Sequence, residues 1–121
     1  MTLRSTGVQR RDFIPIHDVC RATLHLVELN TERVTDGIFN IGGAWSPTGW
    51  EMACLIAERC RQLLNFEPTI RRPKPDAKDL TTELDFRIDR LRSTGFELQA
   101  DRIDEIDSTL LFCRNIFGDP A

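Results

Sequence analysis

The stretch Arg11-Asp12-Phe13-Ile14-Pro15-Ile16-His17-Asp18-Val19-Cys20-Arg21-Ala22 changes character half-way along. Within residues 8–16, Phe13, Ile14 and Ile16 suit a short strand or extended segment. Pro15 confines it to a sheet edge or strand end, because proline has no N–H to give a ladder. Asp18 then stands where an N-cap belongs, and residues 19–30 take up the helical period. At the helical turn angle, Val19, Ala22, Leu26 and Leu29 share one side, and Cys20, Leu24 and Val27 share another. Only Arg21, His25 and Glu28 form a polar stripe. A helix apolar over more than half its girth is built to lie between two layers, which is more cover than a small domain easily supplies. The isolated chain is therefore expected to self-associate through this helix, or to be poorly soluble.

Outward from that helix the same reading gives a turn at Thr35-Asp36-Gly37 and a short strand Ile38-Phe39-Asn40-Ile41, which ends at Gly42-Gly43. Ser46 to Glu51 opens a second helix: Thr48 and Glu51 have capping-box spacing, and Met52, Ile56, Cys60 and Leu63 recur at helical spacing to about Leu64. Residues 67–79 hold Pro68, Pro73 and Pro75 and read as a strand followed by a loop. Thr81 to Phe86 reads as another short strand. Ile88 to Thr94 reads as a short helix stopped by Gly95. Asp101 caps a last helix with Ile103, Ile106, Leu110, Cys113 and Phe117 on one face. Asp104 and Glu105 sit near its positive end and Arg114 near its negative end, and Gly118 and Pro120 end it. The expected fold is a mixed α/β fragment, three to four helices with short strands, in a single unit spanning 1–121.

Length and composition agree with one soluble domain. The 121 residues are 40% hydrophobic and 29% charged, with net charge −3. No apolar run approaches a membrane span, Met1 to Gly7 shows no signal-peptide core, and an acidic balance leaves no footprint for nucleic acid. A cytoplasmic protein is the expectation. The chain has no tyrosine, so a mechanism that needs a tyrosine acid or base is excluded for this chain alone. The four cysteines, Cys20, Cys54, Cys60 and Cys113, form no Cys-x-x-Cys pair and no zinc-like cluster with the two histidines. They are read as reduced and structural, and no metal is expected.

The candidate chemistry lies in arginine, which accounts for fourteen of the sixteen basic residues. Genome composition can produce that bias, but the planar guanidinium fork also suits carboxylates and phosphates. Arg10 and Arg11 precede the first extended segment, and Arg71 and Arg72 follow a later one. Two arginines converging from separate strand ends would grip a diphosphate bidentately. Gly42-Gly43 with Gly49 lacks the Gly-x-Gly-x-x-Gly spacing of a dinucleotide turn and the Gly-Lys-Ser/Thr of a P-loop. No Ser–His–Asp arrangement stands out: His25 reads as part of a solvated face, His17 as a local hydrogen-bonding residue, and Asp85 and Asp89 as surface or capping carboxylates.

In order along the chain, four segments resemble one family. Arg11-Asp12-Phe13-Ile14 with Asp18-Val19 and Arg21-Ala22 is similar to an "RDFI-x-x-x-D-V-x-R-A" signature. Gly37-Ile38-Phe39-Asn40-Ile41-Gly42 is similar to its "G-x-[YF]-N-[IL]-G" strand. Ser46, Thr48, Glu51, Ala53 and Ile56 match the helix that follows, and Leu91 to Glu97 resembles the "K-L-x-x-x-G-F/W" close. The family is the extended short-chain dehydrogenase/reductases, the NAD-dependent nucleotide-sugar epimerases and dehydratases. The resemblance covers nearly the whole chain but only the carboxyl-terminal part of the family.

The resemblance implies a substrate-binding lobe of an enzyme of the UDP-glucose 4-epimerase type, an isomerase of carbohydrate metabolism. The family's Rossmann portion, with its glycine-rich NAD turn and catalytic Tyr-x-x-x-Lys, is not in this chain. No catalytic residue and no cofactor are therefore expected here, NAD belonging to the parent enzyme. By position, Arg11 would face the nucleotide-sugar diphosphate. The family's "R-P-G-D" loop reads Arg72-Pro73-Lys74-Pro75-Asp76. Lys74 stands where glycine is usual and Asp76 comes one residue late, so either Arg71 or Arg72 stands at the place of the second arginine. Asn40 and Asp18 are read as structural, a turn-facing amide and a helix cap. The partners implied are a nucleotide-diphosphate sugar and the missing Rossmann domain, or another copy of the chain, with no nucleic acid and no membrane. The alternative from another class is a non-catalytic oligomerisation or interaction module derived from the same fold. An unrelated small α/β enzyme would need a nucleophile and base that the sequence does not offer.

Overall fold

The computed structural model describes residues 1–30, 37–77, 79 and 83–118. Among them are four helices: α1 (Ile16–Glu28), α2 (Gly49–Leu64), α3 (Asp89–Ser93) and α4 (Arg102–Phe117). The described part of the fold is mostly helical.

The expected short strands do not form a sheet. Only two isolated β-bridges occur among the described residues, parallel Thr2↔Arg71 and antiparallel Arg10↔Thr48. The reason is local. Residues 7–13 lie antiparallel to 45–50, with Phe13 N–H donating to Trp45 O, Arg11 N–H to Pro47 O and Gly49 N–H to Gln9 O. Each level carries a bond in one direction only. Pro47 has no N–H to return, and the N–H of Trp45 is taken by the Asp12 carboxylate at 3.2 Å. The segment Ile38–Ile41 keeps the alternation of a strand, with Phe39 and Ile41 packed on the core and Ile38 exposed, but forms no strand. Residues 83–86 form no strand either; Thr81 and Thr82, like Thr35 and Asp36 of the expected turn, lie outside the described residues.

The helix expectations fare better. The α2 capping box is present in both directions: the Glu51 N–H donates to Thr48 Oγ1 at 3.1 Å, and the Thr48 N–H donates to the Glu51 carboxylate at 2.7 Å. Asp101 caps α4 by accepting from the N–H groups of Ile103 and Asp104, and Gly118 closes it. Helix α1 starts three residues earlier than expected, after Pro15, and has no side-chain cap. Asp18 sits inside its first turn and is not its cap.

The core is small. Ala22, Leu91 and Phe96 form its buried centre, with Leu26, Phe39, Ile41 and Leu98 packed around them. Full burial of side chains such as Leu91 and Phe96 contributes about 1.5–3 kcal/mol each. Helix α2 packs on α4, where Arg59 and Asp107 form a bidentate pair at 2.7 and 2.5 Å.

The two apolar sides of α1 have separate fates. The Ala22–Leu26 side meets the core, whereas Ile16, Leu24 and Val27 are 64%, 61% and 78% exposed. The cysteines divide similarly: Cys60 is buried, but Cys20 and Cys113 are exposed, which corrects the expectation that all four are structural. Burial pushes the Cys60 thiol pKa up. No helix among the described residues is long and apolar enough to cross a membrane.

Candidate functional site

The backbone around Arg11 is fixed on both sides. Its own N–H donates to Pro47 O at 3.2 Å. The neighbouring Asp12 carboxylate accepts the N–H of Gly43 at 2.6 Å and of Trp45 at 3.2 Å. This clamp depends on glycine at 43, since a Cβ there would lie 1.9 Å from the Phe13 carbonyl oxygen. Arg10 points into the structure, donating to Ser46 O at 2.8 Å and lying 3.6 Å from the Glu51 carboxylate. The Thr48 N–H, then the Thr48 hydroxyl, outweigh desolvation and, with Arg10 adding to them, hold Glu51 below its ordinary pKa.

Arg11 alternates to the opposite side. It is exposed, and its guanidinium makes no hydrogen bond or ion pair among the described residues. It pairs with neither nearby carboxylate: Asp12 is occupied by the two backbone donors, and Asp18 by Arg21, Gln99 and Ala100.

Arg71 and Arg72 separate in role. The Arg71 backbone joins the amino terminus, its N–H donating to Met1 O and its carbonyl accepting from Leu3 N–H. Its side chain is exposed. The Arg72 guanidinium lies over Trp50, 3.8 Å from the ring centroid, and donates to Thr6 O at 2.9 Å. A cavity of about 490 Å³ opens beside it, lined by Arg4, Ser5, Thr6, Gln9, Pro73 and Asp79. Arg11, Arg71 and Arg72 do not themselves line any of the principal cavities among the described residues. Residues 1–3 are held by 69–71 and residues 7–13 by 45–50, with a left-handed Gly7 between the two pairings, and no hydrogen bond or ion pair links Arg11 to Arg71 or Arg72 among the described residues.

Asp18 is a structural hub, by a route that the sequence did not show. Its side chain is 1% exposed. It accepts from Arg21 at 2.6 Å, from Gln99 N–H at 3.2 Å and from Ala100 N–H at 3.1 Å. Burial raises its pKa, but those two N–H groups and the Arg21 guanidinium outweigh burial and hold it below the ordinary carboxylate value. Asn40 is also structural, donating to Arg87 O at 3.1 Å. His25 is not on a solvated face: it is half-buried, its Nε2 lies 2.7 Å from Thr94 Oγ1, and its ring packs on Phe96. Asp85 pairs at the surface with Arg87.

Two contributors were missed from the sequence, Asp12 and Arg102. Arg102 donates to Gly43 O at 3.0 Å and lies over the Trp45 ring, so the N–H and the C=O of Gly43 are both held. The available signal was a carboxylate one residue before an aromatic, upstream of a Gly-Gly pair. No buried side-chain nitrogen or oxygen among the described residues lacks a partner. No cluster of three or more His, Cys, Asp or Glu residues there could hold a metal ion. No protein-family model matches the chain, and no curated protein matches it.

Proposed function

We propose that this chain is the nucleotide-sugar-binding lobe of a two-lobed NAD-dependent epimerase or dehydratase, with Arg11 and one of Arg71 or Arg72 as the diphosphate contacts. The observation that carries the reading is the state of Arg11. An exposed, unpaired guanidinium stands on a backbone clamped by Asp12, Gly43 and Pro47. Charge-assisted, bidentate bonds to a phosphate need a guanidinium that no protein acceptor already occupies. The cavity lined by Arg4, Ser5, Thr6 and Pro73 gives a nucleoside room beside Arg72. Of the two downstream arginines, Arg71 is the one whose guanidinium makes no hydrogen bond or ion pair among the described residues; Arg72 is committed to Trp50 and Thr6.

The bare Ile16–Leu24–Val27 side of α1 supports the same reading, because a lobe that works against a second, NAD-binding lobe leaves one apolar face for it. In that arrangement the lobe contributes binding energy and substrate position, and the second lobe supplies NAD and the acid–base groups. A cytoplasmic location goes with this reading. The exposed apolar faces also favour a second reading, a non-catalytic interaction module.

Titration calorimetry with uridine diphosphate and other nucleoside diphosphates separates them. Binding that Arg11→Ala weakens about tenfold to a hundredfold, the worth of a charged hydrogen bond, supports the lobe. Absence of binding to any nucleoside diphosphate favours the module.

A further inference from the structure

We draw no further inference here: the strongest candidate, the apolar groove of about 260 Å³ that Phe13, Met52, Ile56, Ile106 and Leu110 line between α2 and α4, carries nothing, because the Arg102 guanidinium at its Trp45 wall is already bonded to Gly43 O and laid over the Trp45 ring, and nothing in the structure shows what fills the groove.

Discussion

The carboxylate of Asp18 accepts the backbone N–H of Gln99 across 81 positions of sequence, and so ties the first turn of α1 to the chain that leads into α4. The next N–H, of Ala100, reaches the same carboxylate. Asp18→Ala would leave two backbone donors and the Arg21 guanidinium without their shared acceptor, a loss of about 3 kcal/mol or more. Asp18→Asn keeps one oxygen and is expected to cost less. Chemical denaturation of the two variants checks the order.

The same carboxylate sets an acid limit. Its pKa is depressed on folding, so the unfolded chain binds the proton more tightly. The stabilisation is complete above the ordinary value of 3.8 and is lost as pH falls through the lower, folded value. Melting temperatures measured from neutral pH downward are expected to fall less steeply below that point in Asp18→Asn than in the native chain.

Gly43→Ala is expected to loosen the platform under Arg11. Its Cβ would meet the Phe13 carbonyl oxygen at 1.9 Å, and the backbone on either side is held by Asp12 and Arg102. Overpacking of this kind costs roughly 1–3 kcal/mol. The variant should melt lower and bind nucleoside diphosphate more weakly with Arg11 itself intact.

Arg11 and Arg72 should separate binding from stability. Arg11 is exposed and unpaired, so Arg11→Ala should leave the melting temperature unchanged while lowering diphosphate affinity; Arg11→Lys should recover only part, since a point charge cannot reproduce the fork. Arg72→Ala removes a guanidinium stacked on Trp50 and a bond to Thr6 O. It is expected to lower stability, by about 0.5–2 kcal/mol for the stacking alone. Parallel calorimetry and thermal melts read both quantities.

Arg59 and Asp107 join α2 to α4 through two parallel bonds. That pairing, more than desolvation, holds Asp107 below and Arg59 above their ordinary pKa values. Arg59→Ala and Asp107→Ala should each lower the melting temperature, and the double variant should lose little more than either single one, because the interaction can be removed only once. An additive double variant would show that the pair is not coupled.

Much of the helical framework could be read from the sequence because its signals are local. Thr48 and Glu51 lie three residues apart and satisfy each other within one turn. Asp101 reaches the N–H groups of its own helix, and Gly118 stops it. The apolar period of residues 19–30 is likewise enough to specify a helix with two apolar sides. Arginines 11, 71 and 72 stand out by their place at the ends of extended segments, and the choice of Arg11 over Arg10 comes only from the family resemblance.

Tertiary structure decided everything that depends on a distant partner. The extended segments had the alternation of strands, but a sheet needs reciprocal N–H donors, and Pro47 and the Asp12 carboxylate remove them opposite Arg11 and Phe13. Asp18 had the chemistry of a helix cap, and only the approach of Gln99 and Ala100 made it a bridge between distant segments. Which side of α1 is core followed from where Leu91 and Phe96 arrive. Arg11, Arg71 and Arg72 are the same guanidinium in sequence; the presence of Trp50 and Thr6 beside one of them is what commits Arg72 to the fold, while Arg11 and Arg71 stay exposed.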